Sequence, residues 1–487
     1  MELERLIAAL APEAVLSDPG PGSAAVEVRE LAYDARAVTP GAMFFCVPGS
    51  SRDGHDLAAE AVRNGAVALV VERAVEPAVP QLVVPDARAA MATAADIFFG
   101  EPTRELEVVG VTGTSGKTTT AFLLWSILEA AGRSPGLLGT VESRIGSEVR
   151  PVVRTTPEAI DLQRTFREML AVGNRSVAIE ASSHASVLHR LDRVRFDALV
   201  FTNLSQDHLD FHADMDDYFS AKRRLFTGAA APPAVVNIGD EWGRRLADEL
   251  ADKRRAPLVT FGFADDAEIR PENLVLDASG ARFTAGGIEI HSHLRGRFNV
   301  ENVLGAVAAG ILLDVDEDEI AAGVAALQSV PGRFEAVDEG QPFTVVVDYA
   351  HKPDALDNVL RTACGLARGR VLVVFGAGGD RDRGKRPLMG KIAKDLADIV
   401  IVTSDNPRSE QPLAIIQDVL QGTGTDVEID PDRRSAIGRA ISLAQPGDVV
   451  VIAGKGHEQG QEVDGETLPF DDREVARELL RQVESRS

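Results

Sequence analysis

Residues 111–119 read Val-Thr-Gly-Thr-Ser-Gly-Lys-Thr-Thr, directly after the apolar run Leu106 to Val111 and ahead of a helical pattern. That is the arrangement of a phosphate-binding loop between a strand and a helix. Gly113 and Gly116 let the backbone turn so that its N–H groups face an anion, and the following helix N-terminus adds positive potential. Lys117 offers a point charge for the phosphates and Thr118 a hydroxyl for magnesium, with Thr114, Ser115 and Thr119 completing the cradle. The usual pattern has a glycine where Val111 stands, so the loop is a variant built on Gly110, Gly113 and Gly116. This setting predicts a user of ATP or GTP.

Further polar strings follow apolar runs. Ser176 to Glu180 leads into Ala181-Ser182-Ser183-His184, and Phe196 to Thr202 leads into a loop containing Asn203, Asp207, His208 and His212. A carboxylate at the end of a strand beside a P-loop is placed for magnesium, which makes Glu180 a candidate ligand. The plainer alternative is a helix-capping cluster, since Ser, Asp and Asn favour such positions. Asp348, just past an apolar run, suits a ribose hydroxyl. The strings Gly376 to Arg386, Thr403 to Arg408 and Ala453 to Glu458 set guanidinium groups beside carboxylates, which suits a zwitterionic substrate.

The elements needed to position these groups are legible. About residues 1–104, short apolar strands (Ala42 to Val47, Ala66 to Val71, Gln81 to Val84) alternate with alanine-rich helical patterns up to a Gly-Glu-Pro-Thr breaker. Residues 105–334 begin with the P-loop strand, add core-type strands, carry helical patterns at Tyr218 to Phe226 and Asn302 to Leu313, and close at Val330 to Phe334. Residues 335–487 repeat a strand–helix rhythm, with strands at Thr344 to Val347, Val371 to Phe375, Ile399 to Thr403 and Val449 to Ala453. The expected class is α/β, with a central P-loop sheet and a Rossmann-like C-terminal segment whose strand ends converge on one rim.

Composition limits the alternatives. The chain has 487 residues and a net charge of −24, which argues against a nucleic-acid partner. No apolar run approaches membrane-span length, the N-terminus lacks a secretory pattern, and the cysteines, Cys46 and Cys364, suit reduced packing residues in the cytoplasm. Lysines number eight among 51 basic residues, yet Lys117, Lys222, Lys352, Lys385 and Lys455 all fall inside polar or glycine-rich strings.

Together these strings resemble the Mur ligase family, and within it the tripeptide synthetases. The match spans essentially the whole chain and includes Gly296-Arg297-Phe298-Asn299, Pro331 to Glu335, Asp348 to His351 and Asp405-Asn406-Pro407-Arg408. The resemblance implies a uridine-binding domain (1–104), a central ATPase domain (105–334) and a C-terminal amino-acid-binding domain (335–487). It implies ATP-dependent addition of meso-diaminopimelate to UDP-MurNAc-L-Ala-D-Glu by way of an acyl phosphate, by a cytoplasmic monomer of peptidoglycan synthesis. By position, Lys117, Glu180, His208 and Lys222 would be catalytic. Thr118, Glu180, His208 and a carbamylated Lys222 would serve two magnesium ions. Asn299, Asn302, Arg333 and Asp348 would complete the ATP site. Ala35, Thr155, Thr156, Ser182 and Arg190 would hold the UDP-dipeptide, and Arg381, Asp405, Asn406, Pro407, Arg408, Gly454 and Glu458 the diaminopimelate, whose distal carboxylate Arg408 would grip. Asp34-Ala35-Arg36 departs from the Asp-Ser-Arg of many relatives, and Arg154 from an asparagine. The alternatives are a ligase for L-lysine or another acceptor, and a nucleotide-binding regulatory protein without turnover.

Overall fold

Runs rich in valine, isoleucine and alanine form strands buried on both faces, as parallel sheets require. The computed structural model describes residues 1–16, 26–49, 52–228, 231–253, 256–424 and 426–484. By packing, the chain divides into two units. The first holds Met1–Thr112, Gly132–Leu199 and Ala221–Pro233; the second holds Gly113–Ala131, Val200–Ser220 and the chain from Ala234 onward.

In the first unit, Ala14–Leu16 (β1), Glu30–Ala32 (β2), Ala42–Phe45 (β3), Ala66–Val71 (β4) and Gln81–Val83 (β5) make a sheet of order β1-β5-β4-β3-β2, parallel except for β1. Successive strand residues point to opposite faces. Met43, Phe45, Ala68 and Val70 therefore pack with helices Leu3–Leu10 and Ala87–Phe98, whereas Phe44, Leu69 and Val71 pack with helix Ala58–Arg63. The same unit contains the P-loop strand Glu107–Thr112 (β6) and Pro135–Leu138 (β7), with Ser176–Glu180 (β10) parallel between them. Ser143–Ile145 (β8) and Glu148–Arg150 (β9) extend β7 as an antiparallel hairpin. Ala198–Phe201 (β11) carries the chain into the second unit.

In the second unit, Ala234–Asn237 (β12) and Leu258–Phe261 (β13) pair in parallel. Helices Lys117–Ala130, Arg297–Leu312 and Glu317–Ala326 pack closely: a Cβ on Gly323 would come within 2.4 Å of Ile127 Cα, so only glycine fits that approach. Three antiparallel strands that the apolar runs did not suggest follow β13: Glu272–Asp277 (β14), Gly280–Ala285 (β15) and Ile288–Ser292 (β16). Their signal is the period-two alternation around Gly286-Gly287, both at positive φ, as a tight hairpin turn requires. The pattern expected over Tyr218 to Phe226 is a helix from Met215 to Arg223 that tightens into a 3-10 turn at Arg224–Phe226.

The last sheet of this unit comprises Glu335–Val337 (β17), Thr344–Asp348 (β18), Val371–Phe375 (β19), Ile399–Val402 (β20), Glu428–Ile429 (β21) and Val449–Ala453 (β22). Its order is β17-β18-β22-β19-β20-β21, parallel apart from β17. Val346, Val373, Val402 and Val451 face a core shared with helices Pro353–Leu366, Lys385–Leu396 and Pro412–Thr423. Val345, Val347, Leu372, Ile401 and Val450 face helices Arg433–Leu443 and Asp472–Glu484. The sheet is doubly wound, and its C-terminal strand ends deliver Asp348, Gly376, Thr403 and Gly454 to one edge, where ligands bind in this topology.

Candidate functional site

The phosphate loop is braced by the polar string after β11. Ser115 N–H donates to Asn203 Oδ1 at 2.9 Å, Thr114 N–H to Asn203 O at 2.9 Å, and Thr202 Oγ1 donates to Ser115 O at 2.6 Å. Thr114 Oγ1 accepts from Ser205 N–H and lies 3.2 Å from the Tyr218 hydroxyl. Gly113 and Gly116 take φ of +145° and +86°, and a Cβ on either would collide with Thr202 Oγ1 or Asn302 Oδ1 at 1.9 and 2.2 Å. Lys117 Nζ donates to the carbonyls of Gly113 and Thr114, so the cation lies on the loop it serves.

A second set of groups surrounds this loop within the same unit. Arg333 Nη2 donates to Thr118 Oγ1 at 3.1 Å, with its guanidinium 4.4 Å from the centre of the Tyr349 ring. Asn302 donates to Asn299 Oδ1 at 3.0 Å, which orients the amide pair. Asn299 and Arg333 line a cavity of about 180 Å³ with Ser279, His293, Arg295 and Phe334. Asp348 accepts from Phe334 N–H at 2.6 Å, and burial lifts its pKa to about 6 against the lowering influence of Arg333. Lys352, itself buried, lies 2.7 Å from Asp207 Oδ2 and 3.4 Å from Thr114 O. Burial would raise the Asp207 pKa, but Lys352, His208 and His351 outweigh it and hold the carboxyl well below the usual range. His208 takes φ of +54° and sets Nε2 3.1 Å from Asp207.

At the far strand ends of the doubly wound sheet, Asn406 is fixed on both sides of its amide. Oδ1 accepts from Lys455 Nζ at 2.8 Å and from Glu462 N–H at 3.0 Å, and Nδ2 donates to Glu458 at 2.9 Å. Arg408, at φ +52°, donates from Nη1 to Gly379 O at 2.7 Å and pairs through Nε with Glu462 at 2.6 Å. Asp405 is buried and its Oδ2 has no hydrogen-bond partner; a Cβ on Gly454 would lie 2.3 Å from that oxygen. Pro407 O occupies the space a Cβ on Gly379 would need. Arg381 is half exposed and lies 3.7 Å from Asp210. The expected ATP-binding residues, His208 and the expected amino-acid-binding residues thus all lie in the second unit.

Glu180, Lys222 and the expected UDP-dipeptide residues lie in the first unit. Thr156 Oγ1 donates to Glu180 O at 2.8 Å and lies 3.2 Å from Ser182 Oγ, which caps helix Ser183–Val187. Arg190 donates to Thr156 O at 3.1 Å and pairs with buried Glu158 at 2.6 Å; Arg154 reaches the same carboxylate at 3.0 Å. Thr155 Oγ1 lies 3.1 Å from Thr140 Oγ1, whose residue also donates to both carboxylate oxygens of Glu180. Ala35 has a different support: it is buried in a turn where Asn64 donates to its carbonyl and Asp34 pairs with Arg36.

Among the described residues, no cluster of three or more His, Cys, Asp or Glu side chains is arranged to hold a metal. Magnesium does not require one, because it is commonly held by one or two carboxylates together with substrate phosphates and water. Each oxygen of Glu180 accepts a single hydrogen bond from Thr140 and keeps a lone pair, so its donor chemistry fits such an ion. Lys222 is only 1% exposed, an unusual place for an ammonium group.

Known proteins match this arrangement along the chain. The Mur ligase family catalytic domain matches residues 27–100, the Mur ligase middle domain 111–310, and the Mur ligase glutamate ligase domain 332–456. The chain belongs to the Mur ligase family. A UDP-N-acetylmuramoyl-L-alanyl-D-glutamate--2,6-diaminopimelate ligase of Solibacter usitatus is 48% identical, over 95% of each chain. The ligases of the same name from Geobacillus thermodenitrificans and Streptomyces coelicolor are each 46% identical over 94% of this chain, covering 95% and 93% of their own. A solved structure of a ligase of that name aligns with a TM-score of 0.68 at 33% identity, covering 93% of this chain and 95% of its own. The fold is shared by an ADP complex of the MurF ligase from Thermotoga maritima, with a TM-score of 0.65 at 20% identity over 94% of this chain and 99% of that one.

In this Mur ligase, residue types and spacing did not single out every supporting group. Lys455 and Lys352 stood out only as scarce lysines in polar strings; in the structure Lys455 holds the buried Asn406 amide and Lys352 the half-buried Asp207 carboxylate. Glu462 and the buried pair Arg433–Asp472 carried no local signal, because their partners lie far away in sequence.

Proposed function

We propose that this Mur ligase adds meso-2,6-diaminopimelate to the D-glutamyl γ-carboxylate of UDP-N-acetylmuramoyl-L-alanyl-D-glutamate, consuming ATP, in cytoplasmic peptidoglycan precursor synthesis. The observation that carries the choice of acceptor is Arg408. Its Nε and Nη1 are held by Glu462 and Gly379 O, and beside it stand Asn406, Glu458 and the unpartnered Asp405 oxygen. Such a site offers a guanidinium edge to a distal carboxylate and carboxylate oxygens to an ammonium. The names of relatives matched over nearly the full length of both chains support the same acceptor.

The chemistry proceeds in two displacements. The γ-carboxylate attacks the γ-phosphorus of ATP, ADP leaves, and an acyl phosphate forms. The acceptor amine, having lost a proton, attacks the acyl carbon; the amide forms and phosphate departs. The intermediate replaces an oxide leaving group with phosphate. The protein's part is positioning and charge neutralisation. In this reading Lys117, Arg333 and the loop N–H groups bind phosphates, Asn299 and Asn302 the adenine, and Asp348 the ribose. Thr155, Thr156, Ser182 and Arg190 hold the UDP-dipeptide, with Ala35 on the uridine side. Thr118, Glu180, His208 and a carbamylated Lys222 would hold two magnesium ions, which would supply positive charge to the phosphates. The reading assigns residues 1–104 to uridine, 105–334 to ATP and 335–487 to the amino acid, in a monomer.

Phosphate release from ATP with the UDP-dipeptide, offering meso-diaminopimelate or L-lysine in parallel, tests this. We expect release and a tripeptide mass only with diaminopimelate. Turnover with lysine alone would remove the role given to Arg408, and turnover with neither would remove the acceptor class.

A further inference from the structure

We infer that Arg433 and Asp472 are positioning residues for the amino-acid acceptor: their buried pair fixes the two strand ends that carry Asp405-Asn406 and Gly454. The inference rests on the function proposed above. Both side chains are fully buried. Arg433 Nε and Nη2 fork onto the two Asp472 oxygens at 2.8 and 2.7 Å. The rest of the guanidinium faces main chain: Nη1 donates to Ser404 O at 3.3 Å and Nη2 to Ala453 O at 3.0 Å. Those carbonyls immediately precede Asp405 and Gly454.

Each partner opens a helix, Arg433 at the start of Arg433–Leu443 and Asp472 at the start of Asp472–Glu484. Two helix N-termini are therefore pinned beneath the ends of β20 and β22. A Cβ on Gly454 would stand 2.3 Å from Asp405 Oδ2 and 3.7 Å from Arg433 Nη2, so the acceptor-side carboxylate rests against the loop that Arg433 holds. Stability alone is a weak reason for such a pair, since a well-packed apolar pair commonly does as well in a core. An apolar pair cannot donate to two carbonyls on separate strands. Lysine would keep the charge and lose the fork.

The same sheet provides a control at its opposite edge. Arg370 precedes β19 and Asp448 precedes β22; they pair at 2.7 Å, and Asp448 also accepts from Arg370 N–H. Loss of that pair would loosen the sheet without touching the acceptor rim.

The test compares Arg433→Lys, Asp472→Asn and the control Asp448→Asn in the full chain. KM is measured for diaminopimelate, ATP and the UDP-dipeptide, together with capture of the acyl phosphate by hydroxylamine in place of the amino acid, and the melting temperature. We expect the first two variants to raise the diaminopimelate KM by about tenfold or more, with the other KM values and hydroxamate formation within about twofold of the parent. Asp448→Asn should lower the melting temperature and leave the diaminopimelate KM in place. An unchanged diaminopimelate KM in both test variants, an equal rise in the control, or a common rise in all three KM values would overturn the assignment. A parent protein that forms no hydroxamate or ignores diaminopimelate would instead overturn the proposed function, and the inference with it.

Discussion

Lys455 has none of its side chain exposed, yet it carries a charge into the acceptor rim, 2.8 Å from Asn406 Oδ1, 3.0 Å from Glu458 and 4.0 Å from Asp405. Removing one member of a buried charge pair leaves the other uncompensated, which is costly. Glu458 is partly exposed, so Lys455→Met should cost less than the roughly 3–5 kcal/mol of a fully buried pair, about 2 kcal/mol, with a rise of about tenfold in the diaminopimelate KM. Thermal denaturation and steady-state kinetics read the two effects separately. Asp348 makes a pH prediction. Its folded pKa of about 6, raised by burial, lies above the ordinary carboxyl value of 3.8. The native state therefore binds more protons between these values, and stability falls as pH rises through that window, by roughly 3 kcal/mol in all. Asp348→Asn keeps an acceptor for Phe334 N–H and removes the titration. Its melting temperature relative to the parent should climb from pH 4 to pH 7; a constant difference would contradict the burial argument.

At the scale of elements, the P-loop is held by the neighbouring strand end more than by its own glycines. Asn203 supplies an acceptor to Ser115 N–H and to Thr114 N–H, and donates back to Ser115 O. Asn203→Ala should loosen the cradle and raise the KM for ATP by about tenfold, leaving the diaminopimelate KM unchanged, because a mispositioned phosphate site loses uniform binding. Equal changes in both constants would place the defect in general folding. The same elements show what the chain makes legible. Glycine spacing at the loop, apolar strand runs and the polar strings after them are local, so strands such as Ser176–Glu180 and Val371–Phe375, and the rim of the last sheet, could be read in advance. The antiparallel strands from Glu272 to Ser292 were missed because their alternation is weak, with one strand largely exposed. Braces such as Lys352–Asp207 and Arg433–Asp472 join residues distant in sequence, and no local period encodes such pairs.

Over the whole molecule, acids exceed bases to give a net charge of −24, and many arginines are already paired, as in Arg370–Asp448, Arg386–Glu410 and Arg439–Glu428. The long-range field is that of the uncompensated carboxylates, whereas the cations around the P-loop act over a few ångströms. ATP and the UDP-dipeptide are polyanions, and diaminopimelate is close to neutral. At low salt the Debye length reaches about 30 Å, so an approaching nucleotide meets the repulsion before it meets Lys117; at physiological ionic strength the length is about 8 Å and the repulsion is confined to the surface. Raising ionic strength at constant free magnesium should therefore lower the KM for ATP and for the UDP-dipeptide, by about two- to fivefold, through faster encounter. The diaminopimelate KM should stay flat. Stopped-flow binding of a fluorescent ATP analogue isolates the encounter: its association rate must rise with salt while its dissociation rate changes little. An association rate that falls instead would mean that the cations around the P-loop dominate even at long range.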